Sequence, residues 1–187
     1  MSPAPADAPP DHRLFFALYP ETAQALPIAA LASRLKLQLG LKGRPHDLAR
    51  FHVTLHHLGD FVGMPEELCQ RAERAAATLR QSPIALRFDQ LLSFERRAKK
   101  NRPLVLSGGA GLDAVREFRR RLGEALAAAG IATDPRFTPH LTLMYDDELV
   151  PPQAIEAPAW HATEFALVDS LIGQHRHIKL ARWPLQG

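Results

Sequence analysis

Residues 137–145 read FTPHLTLMY, with His140 and Thr142 two apart and Pro139, Leu141 and Leu143 at the alternate positions. Eighty-eight residues earlier, residues 51–59 read FHVTLHHLG and set His52 and Thr54 in the same relation among Phe51, Val53 and Leu55. Side chains alternate along a strand, so each copy predicts an apolar face and an opposite face shared by one His and one Thr. The apolar face belongs against helices, and the polar pair then points out of the core. With nine His and seven Thr in 187 positions, composition alone predicts about a third of one His-x-Thr match. Both copies are also followed by Leu and preceded by Phe within three residues.

Working outward, each copy closes a similar unit. From Arg13, RLFFALYP is a short apolar strand ended by Pro20, and residues 21–39 carry Ala25, Ile28, Leu31, Ala32 and Leu35 at helical spacing before Gly40. In the second half PLVLSGG reads as a strand, and Leu112, Val115, Phe118, Leu122 and Leu126 mark an amphipathic helix ended by Gly130. Two strand-helix-strand units, each delivering a His-x-Thr at the same place, predict two similar lobes facing across a cleft. Each lobe is an antiparallel-rich sheet backed by helices, and the fold class is α+β. Between the units, a helix over residues 66–81 buries Leu68, Ala72, Ala75 and Leu79, IALRFDQLLSF is a strand, and ERRAKKNR is a basic loop with five cations. A Pro-rich linker, VPPQAIEAPAW, precedes two terminal strands, EFALVDSLIG and HIKLARWPL.

Composition narrows the class of protein. A hydrophobic content of 46% suits a globular fold, and residues 13–187 are expected to form one bilobal domain behind a Pro-rich leader, residues 1–12. The net charge of +3 is compatible with a polyanionic partner without requiring one. Cys69 is the single cysteine, which excludes an internal disulfide and fits a reducing, cytoplasmic setting. No apolar run approaches a membrane span of ~18 residues.

Chemistry gives the paired motif a reason. In-line cleavage of a phosphodiester needs a base on the attacking side, an acid on the leaving side and donors for the nonbridging oxygens. One His and one Thr from each lobe meet that need. An unperturbed imidazole, with a pKa of ~6.5, lets one ring be neutral while the other is charged, and a Thr hydroxyl two residues along can donate to phosphate. No metal or cofactor is required. Two rivals remain open at this point: a metal-dependent phosphoesterase, with His52 and His56 on one strand face and His140 opposite, and a noncatalytic RNA-binding module using the basic loop and the cleft.

RLFFALYP, FHVTLHHLG, PRFTPHLTL and SLIGQHRHIKLARWPL together resemble the RNA 2′,3′-cyclic phosphodiesterases, also called 2′-5′ RNA ligases, of the two-histidine phosphoesterase superfamily. The resemblance implies metal-independent opening of an RNA terminal 2′,3′-cyclic phosphate to a 2′-phosphate, reversible as 2′-5′ ligation. It implies a monomer acting on a cyclic-ended RNA or a small cyclic nucleotide. Carried onto this chain, it makes His52 the acid for the 3′ oxygen, His140 the base for water, and Thr54 and Thr142 the phosphate contacts. Arg136, Tyr145 and His177 are further candidates for substrate contact. The chain departs from the family pattern at His56 and His57, where an apolar pair is usual, and at Tyr145, where an arginine is common. SGGAG, residues 107–111, lacks a full GxGxxG spacing and reads as a turn.

Overall fold

The computed structural model describes residues 8–174 and 176–186, so most of the expected leader, as well as His175, lies outside the described residues. In chain order the elements are β1 (His12–Leu18), α1 (Thr22–Gln38), β2 (Val53–Phe61), α2 (Glu66–Ala76), β3 (Ile84–Leu86), β4 (Gln90–Ser93) and β5 (Arg102–Ser107). They continue with α3 (Asp113–Ala128), β6 (Leu141–Asp146), β7 (Gln153–Ala154), β8 (Trp160–Ala162), β9 (Glu164–Leu171) and β10 (Arg176–Pro184). The first strand starts at His12, one residue inside the stretch read as leader, and the Asp11 N–H donates to the Phe61 carbonyl.

All strand pairs are antiparallel. One four-stranded sheet runs β10-β9-β1-β2, another runs β6-β5-β4-β7, and β3 pairs with β8. Thus β2 and β6, the strands that follow the two motif histidines, are each an outermost strand of a different sheet. Apolar residues of both sheets, among them Leu14, Phe16, Leu104 and Leu141, share one core with the buried faces of α1, α2 and α3. A smaller cluster of Phe15, Ala17, Tyr19, Ala166 and Val168 lies on the opposite face of the first sheet.

The duplication extends to the helix ends. Gly40 takes φ +65 and Gly130 φ +71, a left-handed turn that glycine adopts without a Cβ penalty. After α1, the Gly40 and Leu41 amides donate to the Leu37 and Lys36 carbonyls; after α3, the Gly130 and Ile131 amides donate to those of Ala127 and Leu126. Each is a Schellman ending, and each sends the chain toward a histidine strand.

Three expectations change. IALRFDQLLSF is not one strand: β3 and β4 belong to different sheets, and between them Arg87 and Asp89 turn their amides to Gly111 and Ser107. The Pro-rich linker contains β7 and the start of β8, where Trp160 is buried. In α2 the buried set is Cys69, Ala72, Ala75 and Ala76, while Leu68, in the first turn, and Leu79, beyond the helix end at Ala76, pack only at the edge of the core. The SGGAG turn is filled from within the chain: Asp89 Oδ1 accepts the Gly109 N–H at 3.3 Å and lies 2.6 Å from where a Cβ at Gly108 would stand.

Candidate active site

His52 and His140 stand one residue before their strands begin, on extended chain that leads into β2 and β6. Both rings are fixed the same way. His52 Nδ1 lies 2.7 Å from the Arg50 carbonyl, and His140 Nδ1 lies 2.7 Å from the Thr138 carbonyl. A carbonyl oxygen can only accept, so each Nδ1 carries the proton and each Nε2 keeps a lone pair in the neutral ring. His52, Thr54, His140 and Thr142 line one cavity of about 430 Å³, as the shared faces of the two strands require. Arg13, His46, Arg50, His57 and Ser170 complete much of its wall together with Tyr145 and His177.

A matched irregularity sets which residues follow the threonines. Against β1, Thr54 pairs with Ala17 and His56 with Phe16; against β5, Thr142 pairs with Val105 and Met144 with Leu104. Leu55 and Leu143 are therefore extra residues, and each bulge reverses the alternation beyond it. His56 consequently turns away from His52. It is buried against α3, its Nε2–H donates to the Arg119 carbonyl at 2.8 Å, and a Cβ at Gly123 would come within 3.1 Å of its ring. The expectation that His52 and His56 share a face fails for that reason, and the cavity receives His57 and Tyr145 instead. Among the described residues no group of three His, Cys, Asp or Glu side chains could hold a metal ion.

The two histidines differ in their surroundings. His52 stacks on Tyr19 at a ring separation of 5.5 Å, meets His177 edge-on at 5.0 Å and touches Phe15 at 5.3 Å. His140 meets only Phe94, edge-on at 4.8 Å, among ring contacts of the described residues. Burial pushes the His52 pKa down to about 3, assisted by the nearby charges of His177, His140 and Arg50 once protonated. Burial also lowers His140, and it takes His177 down to about 4. Both motif rings are therefore held neutral at pH 7, since desolvation disfavours imidazolium.

The remaining candidates separate clearly. His177 shares a hydrogen bond of 3.1 Å with the Tyr19 hydroxyl inside the cage, and Tyr145 stands on the rim with its ring against His46. Arg136 does not line the cavity: its guanidinium is exposed and paired with Asp134 at 2.9 Å. Arg50 has the opposite character, since it lines the cavity and its Nε is buried without a hydrogen-bond partner. It closes a 3₁₀ turn, Leu48–Arg50, two residues before His52, and no motif pattern marks it. Arg13, also missed, is held on the rim by Asp60, which accepts its Nε at 2.8 Å and also His57 Nε2 at 2.9 Å. The bare His-x-Thr spacing recurs at His161-Ala162-Thr163, where His161 is exposed on β8 outside the cavity; the flanking Phe and Leu mark the site better than the triplet.

A family model described as the 2′-5′ RNA ligase superfamily matches residues 20–172. Among solved structures, the chain is similar to Escherichia coli LigT in apo form, with a TM-score of 0.71 and 24% identity over 96% of this chain and 100% of that one. It is similar to Escherichia coli LigT complexed with 3′-AMP at a TM-score of 0.68 and 23% identity, covering 95% and 99% of the two chains. TT0787 of Thermus thermophilus gives a TM-score of 0.66 and 22% identity, with 94% and 98% covered. Curated protein sequences give no match.

Proposed function

Because the chain belongs to the 2′-5′ RNA ligase superfamily, we propose that its cavity opens the 2′,3′-cyclic phosphate at the end of an RNA, leaving a 2′-phosphate. The observation that supports this most is the mirrored pair of anchored rings, each with its Nδ1 proton on a backbone carbonyl and a Thr hydroxyl two residues on, lining one cavity. A phosphate placed between them meets an imidazole Nε2 from each side. The water oxygen bonds to phosphorus while the bond from phosphorus to the 3′ oxygen breaks. His140 takes the proton from water and His52 gives one to the departing 3′ oxygen. A ribose hydroxyl in place of water performs the same step as 2′-5′ ligation.

The anion completes the site. Its charge offsets the desolvation that holds His52 neutral, so the proton required on His52 is acquired together with the phosphate. Thr54 and Thr142 donate to nonbridging oxygens, and Arg50, whose buried Nε has no partner, supplies a fixed positive charge beside His52. Escherichia coli LigT is solved with 3′-AMP and with phosphate, ligands of the kind this cavity is read to hold.

The test is turnover of purified protein on cyclic-ended oligonucleotides and 2′,3′-cyclic nucleotides, with and without EDTA, for wild type, His52→Ala and His140→Ala. The expected result is a 2′-phosphate product at a rate that EDTA leaves unchanged and that both variants lose. Activity lost to chelation and restored by zinc, or retained by either variant, overturns the reading.

A further inference from the structure

The connection between β4 and β5 carries Arg96, Arg97, Lys99 and Lys100, all exposed. Among the described residues none of these four has a carboxylate at ion-pairing distance. Other cations around the cavity mouth and its neighbouring hollows are neutralised: Arg13 by Asp60, Arg44 by Asp47, and Lys179 and Arg182 by Glu164. Arg50, within the cavity wall, also lacks an ion-pairing carboxylate among the described residues, and on the outer surface beside the cavity mouth the uncompensated charge lies on the β4–β5 side.

That side is built and joins the cavity. Lys99 N–H donates to the Arg96 carbonyl at 2.8 Å, and Lys99 and Asn101 take φ 52 and 50, so the turn has a defined left-handed shape. Asp147 Oδ1 accepts the Asn101 N–H at 2.7 Å and engages the turn's backbone rather than its cations. Arg96 folds under the loop, donating to the Asn101 carbonyl at 3.2 Å, with its guanidinium 6.0 Å over the Tyr145 ring. Tyr145 in turn lines the histidine cavity and is 37% exposed. From the histidines outward the surface thus runs from phosphate site to exposed aromatic ring to a shelf of unpaired cations.

An RNA strand has one polarity at a 2′,3′-cyclic end: every other nucleotide lies on the 5′ side and must leave the cavity along one path. Single strands are held by bases stacked on aromatic rings and by phosphates in basic grooves. We propose that the preceding nucleotides of such an end leave the cavity over Tyr145 and onto the β4–β5 loop, which makes that loop the surface that holds the single strand. This rests on the phosphodiesterase reading above.

The experiment compares kcat/KM on 2′,3′-cyclic AMP with that on a cyclic-ended oligoadenylate, for wild type and for the triple variant R97Q/K99N/K100Q. Arg96 is retained because it braces the turn, and asparagine suits the left-handed position of Lys99. Wild type should prefer the oligonucleotide by about tenfold or more, and the variant should lose that preference while its rate on the mononucleotide is unchanged. The salt dependence of the oligonucleotide rate should also flatten, by about 0.7 in log-log slope for each phosphate that the variant no longer neutralises. An unchanged oligonucleotide preference, or an equal loss on both substrates, overturns the proposal. If wild type turns over neither substrate, the phosphodiesterase reading fails by itself, and fluorescence anisotropy with a labelled single-stranded oligoadenylate still tests the surface. Weaker binding by the triple variant then supports it; equal binding, or displacement by polyglutamate as effectively as by RNA, overturns it.

Discussion

The two half-sites share a backbone plan and differ in their packing. Each follows a helix ended by a left-handed glycine, each anchors a histidine Nδ1 to the carbonyl two residues earlier, and each bulges one residue after its threonine. Around His52, however, Phe15, Tyr19 and His177 form a ring cage, whereas among the described residues Phe94 is the one ring that meets His140. Backbone duplication delivers two equivalent positions, and side-chain packing makes them unequal in the cost of holding a proton. Two rings equivalent in backbone are made different by their neighbours.

Removing either half is expected to have the largest effect. His52→Ala and His140→Ala should each lower turnover by about 10²-fold or more, the scale of a general acid or base; a variant that keeps the wild-type rate would place the chemistry elsewhere. The two should then diverge on a nitrophenyl phosphodiester, whose leaving oxygen needs no proton. His52→Ala should recover much of its loss on that substrate and His140→Ala should not, because water must still be activated. The opposite pattern of rescue would exchange the two roles.

Thr54→Ala and Thr142→Ala should each cost roughly tenfold to a hundredfold, the size of one hydrogen bond to a charged group. Comparable steady-state losses for the two threonines would indicate that the phosphate sits evenly between the lobes.

The inequality itself can be dismantled. His177→Ala removes one wall of the cage and a nearby positive charge, so the His52 pKa should rise from about 3 toward its ordinary value while His140 changes little. Imidazole proton resonances followed across pH would show both, and an unmoved His52 would mean that the cage is not what desolvates it. A smaller effect concerns stability. An unfolded chain binds a proton at His52 below pH ~6.5, whereas the folded ring resists it until about 3. Stability present above pH ~6.5 is therefore lost progressively as pH falls through that window. Denaturant midpoints at pH 7 and pH 5 should show the decline, and His52→Gln should reduce it.

Much of this was legible because local patterns repeat. The apolar residues around His52 and His140 gave the buried faces, and Gly40 and Gly130 ended their helices where the periodicity stopped. The bulges were not legible. Leu55 and Leu143 are ordinary strand residues, and their extra count exists only against the register of β1 and β5. His56 therefore read as a neighbour of His52, although it packs on α3 near Gly123. The break at Arg87–Asp89 had the same origin, since nothing local says that β3 and β4 will find partners in different sheets. Arg50 was hidden for another reason: an arginine without a counter-ion is visible only once every nearby carboxylate has been placed.

One backbone crossing also carries a consequence for how such a cavity can vary. The segment after α1 reaches over to β6, where Asp146 Oδ2 accepts the Lys42 and Gly43 amides at 2.7 and 2.6 Å and the His46 N–H donates to the Leu143 carbonyl at 2.8 Å. A Cβ at Gly43 would lie 2.0 Å from the Tyr145 carbonyl oxygen, so the contact is backbone on backbone. The same segment then runs into His52. The gap between the histidines is thereby written in chain length: a residue gained or lost between His46 and the turn at Leu48–Arg50 resets the reach from one sheet to the other while His52, Thr54, His140 and Thr142 keep their identities.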